Sequence, residues 1–167
     1  YFLDSFSKKE KPVCLSFPQF NFLVDRLPNW PKVFKYGFYE FEPLIPKKNA
    51  KKVIEKILII SHRYKMPSYL SAIKIHKEDD FLLSYSMDGL SIGFDYPVLP
   101  HRAYEQQEML LKLHDIVTVN GGLVYLAKDN IVTKQHFKKM YNKKINKFLD
   151  IKKKYDGDML FQSNMYR

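Results

Sequence analysis

The sequence predicts an α+β domain of ferredoxin-like type, an antiparallel sheet with helices on one face and element order β-α-β-β-α-β. Three observations point there. Residues 36–45 are aromatic and alternate in polarity, two segments carry apolar residues at helical spacing, and Asp88-Gly89 separates two further alternating runs. An extra hairpin arm and a long C-terminal helix complete the expected architecture.

Taken in order, the run of residues 36–45 reads as one strand stopped by Pro46. Asn49 is placed to cap a helix with Val53, Ile57, Ile60 and Tyr64 on one face and Lys51, Lys52, Glu55 and Lys56 on the other. After Pro67, residues 68–76 are β-like, followed by a charged turn at 77–80. Residues 81–87 and 90–96 flank Asp88-Gly89 as a tight hairpin. A second helix is expected over 101–117 with Ala103, Leu110, Leu113 and Val117 inward. Gly121-Gly122 breaks the chain before a short strand, 123–126. Thr133 then opens a long helix carrying Phe137, Tyr141, Ile145, Phe148 and Ile151 and ending near Asp156-Gly157.

The chain is 46% hydrophobic and 16% aromatic over 167 residues, enough for one packed domain. It contains no run of about 18 apolar residues and no basic-then-apolar opening segment. It begins at Tyr1, not Met, and is expected to be a piece of a longer protein. Pro12, Pro18, Pro28 and Pro31 make residues 1–35 an irregular extension, leaving 36–167 as the folded domain. The lone Cys14 excludes an internal disulfide, reads as a small apolar filler, and suits a reducing, cytoplasmic compartment.

A net charge of +10 favours anionic partners, against the plainer reading of a solvated Lys-rich surface. The lysines from Lys134 to Lys154 are spaced around a helix. As a docking surface for acidic membrane headgroups, that helix would place the protein peripherally on a membrane.

Several chemistries lack their signature. No phosphate-cradling glycine loop is present, and no Gly-x-Ser-x-Gly elbow. His62, His76, His101, His114 and His136 show no ligand spacing with cysteine or carboxylates, so they read as scattered surface histidines and no metal is expected. An RNA-binding module of RNA-recognition-motif topology shares the element order and suits the charge. The run 90–96 lacks the basic-Gly-aromatic pattern such modules stack on bases, so nucleic acid is not favoured. Glu40 and Glu42, two apart on a strand, point to one face, where they would bind hydroxyls, share a proton or simply meet solvent. Lys74 and His76 likewise share a face.

Further motifs carry a family resemblance. Gly121-Gly122 with Tyr125-Leu126-Ala127-Lys128-Asp129, then His136-Phe137, Met140-Tyr141 and the ending Phe161-Gln162-Ser163-Asn164-Met165-Tyr166-Arg167, resemble the C-terminal part of the decaprenylphosphoryl-ribose oxidases and related sugar and aldonolactone oxidases, FAD-linked flavoproteins of the vanillyl-alcohol-oxidase superfamily. Asn29-Trp30, Glu40, Glu42, Lys74 and the stretch from Met87 to Pro97 follow in the family's order, so the resemblance covers residues 29–167.

It implies a substrate-binding cap domain whose FAD is held mainly by another domain of the same protein. The activity implied is hydride transfer from a sugar or polyol hydroxyl to flavin, a lipid-linked glycosyl phosphate being one such substrate. By this resemblance Lys128 is the catalytic lysine, touching substrate and flavin, and Tyr125 stands beside it. Lys74, Glu40, Glu42, Ser91 and His76 fall at substrate-pocket positions. The family has glutamines where Glu40 and Glu42 stand, an aromatic at His76, and an asparagine and a cysteine at Ser91 and Gly93. Asp95 matches a family aspartate and is assigned a structural role. If the reading is right, both glutamates approach Lys74 and Lys128 from neighbouring strands.

Overall fold

A computed structural model describes residues 14–22 and 29–163. Pro12, Pro28 and the last four residues of the C-terminal motif lie outside them. The chain divides into two compact units, Tyr1–Lys35 and Tyr36–Arg167. The first holds two short helices, α1 (Phe17–Asn21) and α2 (Trp30–Val33), and a Ser16–Gln19 capping box opens α1. Cys14 is exposed, which corrects its reading as a filler.

The second unit is an antiparallel five-stranded sheet with three helices: β1 (Phe38–Phe41), β2 (Pro43–Pro46), α3 (Ala50–Arg63), β3 (Leu70–His76), β4 (Gly89–Pro97), α4 (Ala103–Val119), β5 (Leu123–Val124) and α5 (Lys134–Tyr155). The strand expected over 36–45 is thus two strands. Both lie along one edge of β4 in continuous register, Phe41 opposite Phe94 and Leu44 opposite Ser91. The break falls at Glu42 because the next residue is proline, which has no N–H to give the ladder. β3 occupies the other edge of β4, and β5 pairs with β2.

That arrangement overturns the expected hairpin. With both edges of β4 taken, residues 81–87 have no strand to join and run as irregular chain, tied by Phe81 N–H and Ser84 Oγ–H donating to the Asp79 carboxylate. Gly89 serves close packing instead of a tight turn. A Cβ there would sit 2.4 Å from the Ile45 carbonyl oxygen.

Helices α3 and α4 cover one face of the sheet. Val53 and Ile57 pack with Met109, Leu110, Leu113 and Val117 against Phe41, Ile45, Ile92, Phe94 and Tyr96. Ala103 is exposed, and the inward face of α4 starts at Gln106. Asn49 makes no side-chain cap; its amide donates to Asn120 O at 2.9 Å, while Arg102 reaches Tyr64 O at 2.9 Å. Each end of α3 is therefore tied to the opposite end of α4, so the two run antiparallel. At the C-terminus of α4, Gly121 takes φ +75°, which glycine adopts without strain.

Thr133 caps α5 by accepting from the His136 N–H, and Asp156 ends it. Tyr141 sits where α5 departs from helical geometry and packs on Leu44 and Leu123, whereas Ile151 is exposed. The strand expected over 123–126 stops at Val124. No helix of the described residues is long and apolar enough to cross a membrane.

The Gly89 contact gives a test of this topology. Gly89→Ala should cost about 1–3 kcal/mol, since a backbone carbonyl cannot move aside as a side chain can. Urea unfolding should show a lower midpoint at unchanged slope. An unshifted midpoint would mean that β2 and β4 do not approach this closely.

Candidate functional site

Residues opposite one another in an antiparallel ladder share a sheet face. Phe41 faces Phe94 and Ile73 faces Ile92 across β4, on the helix-covered side. Glu40 therefore shares the opposite side with its partner Asp95, and Lys74 shares it with Ser91. This second face is polar, and the candidate site is built on it.

Its centre is Glu42, whose side chain is only 4% exposed. Lys74 reaches it from β3, donating to Oε1 at 2.8 Å. Lys128, from the turn after β5, donates to Oε2 at 3.0 Å and to Glu40 Oε1 at 2.5 Å. The Glu42 carbonyl, which faces the β5 side, accepts from Tyr125 N at 3.0 Å and from Tyr85 Oη at 2.8 Å. Lys128 Nζ also stands 5.8 Å from the centre of the Tyr125 ring.

Burial alone would raise the pKa of Glu42, but hydrogen bonds from Lys74 and Lys128 outweigh it and hold the carboxyl below its usual range. For Lys128 the balance runs the other way. Burial disfavours its charge, yet the bonds to Glu40 and Glu42 win, and its pKa is raised. Asp95 has no such cation in contact. Burial, then repulsion from Glu40, pushes it up to about 6. Burial and the neighbouring Glu42 also raise the Tyr85 phenol, which stays protonated.

Around this centre His76 Nε2 lies 2.9 Å from Ser91 Oγ, which donates in turn to Glu42 Oε1 at 3.4 Å. The His76 ring meets Tyr85 edge-on, and Tyr85 tilts against Tyr125 with ring centres 4.8 Å apart. A cleft of about 450 Å³ opens beside Lys128, lined by Gly37, Tyr39, Val98 and Ala127 among others. Gly93 has only Glu40 Oε1 near the place of its missing Cβ, at 4.0 Å, so the sheet surface is unfilled there.

All seven residues expected at a site, Glu40, Glu42, Lys74, His76, Ser91, Tyr125 and Lys128, are gathered into this one network. Tyr85 was not expected, because its segment was read as a strand. His114 and His136 are buried, contrary to the surface reading. His114 follows Leu110 by four residues and precedes Val117 by three, so the helical period that placed those inward also marks it. Among the described residues no group of three or more His, Cys, Asp or Glu could hold a metal ion.

A flavin is the cofactor the resemblance implies. Lys128 has three N–H donors and two carboxylate partners, leaving one proton for a ligand, and the Tyr125 ring lies close by. Those two residues fit the reactive edge of FAD. None of the described helices opens on a glycine-rich turn suited to its pyrophosphate.

Comparison with known proteins shows what the chain resembles. The model of the D-arabinono-1,4-lactone oxidase family matches residues 30–167. Over 151 residues the chain is 26% identical to a decaprenylphosphoryl-beta-D-ribose oxidase of Mycolicibacterium smegmatis (strain ATCC 700084 / mc(2)155). That match covers 89% of this chain and 32% of the relative, so the chain spans about a third of the relative's length.

Asp95 reports on the electrostatics of the face. Its carboxyl should titrate with a midpoint near 6, against an ordinary 3.8, when followed by side-chain carbon shifts. Between those values the folded state keeps a proton that the unfolded state has lost, so this group makes stability fall as pH rises through the window. Glu40→Gln should bring the midpoint down. A wild-type midpoint at 3.8 would contradict the burial and repulsion described.

Proposed function

This chain belongs to the D-arabinono-1,4-lactone oxidase family, and on that premise we propose that residues 36–167 form the substrate-holding part of an FAD-dependent oxidoreductase acting on a CH–OH group of a sugar or polyol. The observation that carries the reading is the Lys74–Glu42–Lys128–Glu40 cluster on the sheet face opposite α3 and α4. Two cations and two carboxylates balance, which suits neutral hydroxyls better than a free anion. A glycosyl phosphate would place its sugar here and its phosphate beyond the cluster.

Each residue then has a definite task. The lysines keep Glu42 ionised, and a carboxylate accepts hydroxyl protons at several lone pairs. The remaining Lys128 proton orients the reacting hydroxyl. Tyr85 and Tyr125 offer ring surface beside it, and His76 with Ser91 gives a second polar contact. FAD, when bound, supplies the acceptor for the hydride. Its adenine and pyrophosphate would be held by another domain of a longer polypeptide, in keeping with the relative's greater length.

Two measurements test the proposal. The 167-residue chain purified alone should carry no stoichiometric flavin absorbance; a stable flavin spectrum would put the main cofactor site inside it. In the flavin-loaded full-length protein, Lys128→Ala should leave the flavin spectrum in place. It should lower kcat/KM by about 2–4 kcal/mol of transition-state stabilisation, the usual loss for a charge-assisted donor at a reacting centre. Near-normal kcat/KM would return Lys128 to an ordinary surface lysine.

A further inference from the structure

We propose that the buried His114–Asp129 pair is a positioning device that sets the Lys128 ammonium over Glu40 and Glu42. The inference rests on the reading of Lys128 as a substrate-holding residue. His114 is 0% exposed and Asp129 nearly so, yet neither belongs to the polar sheet face. The pair lies on the helix-covered side, at the edge where the chain turns after β5.

Hydrogen-bond accounting shows how firmly the turn is held. His114 Nδ1 lies 2.6 Å from the Leu110 carbonyl oxygen, which can only accept, so Nδ1 carries its proton. His114 Nε2 lies 2.7 Å from Asp129 Oδ2, a contact that needs one proton between them. Asp129 Oδ1 accepts from the amides of Ile131 at 2.8 Å and Val132 at 3.0 Å. On the other side of the turn, Lys128 N donates to Tyr125 O at 3.1 Å. One carboxylate therefore anchors the turn to α4, and no buried polar side-chain atom among the described residues is left unsatisfied.

The same imidazole packs on Phe41, ring centres 5.0 Å apart. Phe41 lies between Glu40 and Glu42 on the chain. His114 thus grips both elements that meet in the cluster: the strand with the carboxylates through Phe41, and the turn with the lysine through Asp129. A long lysine side chain reaches two acceptors at once only if its Cα is fixed, because free rotation scatters its ammonium. Lys74 obtains the same fixity from its strand.

The reactivity of lysine amines tests this without reference to turnover. The 167-residue chain is treated briefly with an N-hydroxysuccinimide acetate, and each lysine is quantified by mass spectrometry. In the wild type, Lys128 should be acylated more slowly than the exposed Lys56. Asp129→Ala should raise the Lys128 rate several-fold toward that of Lys56, with Lys74 unchanged. Asp129→Asn, whose amide still serves the Ile131 and Val132 N–H groups and can donate to a neutral His114, should restore protection. Leu113→Ala, a cavity on the same helix, should lower stability without exposing Lys128. If the Asp129→Ala chain does not fold by circular dichroism, Asp129→Ser replaces it, keeping the backbone acceptor but falling short of His114. Wild-type protection of Lys128 in the folded variant would overturn the proposal, and so would an equal rise in Leu113→Ala. Failure of the catalytic reading appears instead as normal turnover of Lys128→Ala, so the two are separable.

Discussion

A carboxylate sunk into a sheet has to be met by cations, and the position of Glu42 dictates where those must come from. Glu42 lies between β1 and β2, with β4 on one side and the chain beyond β5 on the other. Lys74 arrives from β3, on the far side of β4, and Lys128 from the turn beyond β5. Removing either would leave a buried charge half compensated, which costs far more than an exposed ion pair returns. The order of the strands is thus coupled to the chemistry of one side chain. The backbone adds a second condition: the Glu42 carbonyl, turned toward the β5 side, accepts from Tyr125 N and Tyr85 Oη, and so draws two aromatic rings to the same place.

Much of this was legible in the sequence where a physical period carries the information. Alternation put Glu40 and Glu42 on one face and Lys74 and His76 on another, and the register of β4 with its neighbours made those a single face. Helical spacing gave the buried stripe of Val53 and Ile57 and the inner positions Leu110, Leu113 and Val117. Thr133 announced its helix through a local hydrogen bond, the kind of signal a short window contains.

The misreadings share a cause: each depended on a partner distant in the chain. Asp88-Gly89 has the chemistry of a tight turn, but Gly89 answers to Ile45, more than forty positions earlier. Asn49 has the chemistry of a cap, yet its amide is drawn to Asn120. His114 and Asp129 were each visible, one on a helix and one in a motif, and nothing local declared them a pair. Tyr85 escaped notice because the residues before Gly89 looked like a strand and were left without an edge to join.

The second unit also carries an unshielded side. Among the described residues β3 pairs with β4 alone, and on the helix side Ile73 and Ile75 are 64% and 84% exposed. Leu58 and Ile59 stand bare on α3 nearby, around an open groove of about 940 Å³. A bare apolar edge strand is a template for pairing with another copy. What opposes this is the surplus of positive charge, which keeps like molecules apart over a range that salt controls, about 10 Å at 0.1 M and about 3 Å at 1 M. The colloidal behaviour of this unit is therefore set by a contest between a sticky edge and a long-range repulsion. Ionic strength, by setting the reach of that repulsion, shifts the balance between them.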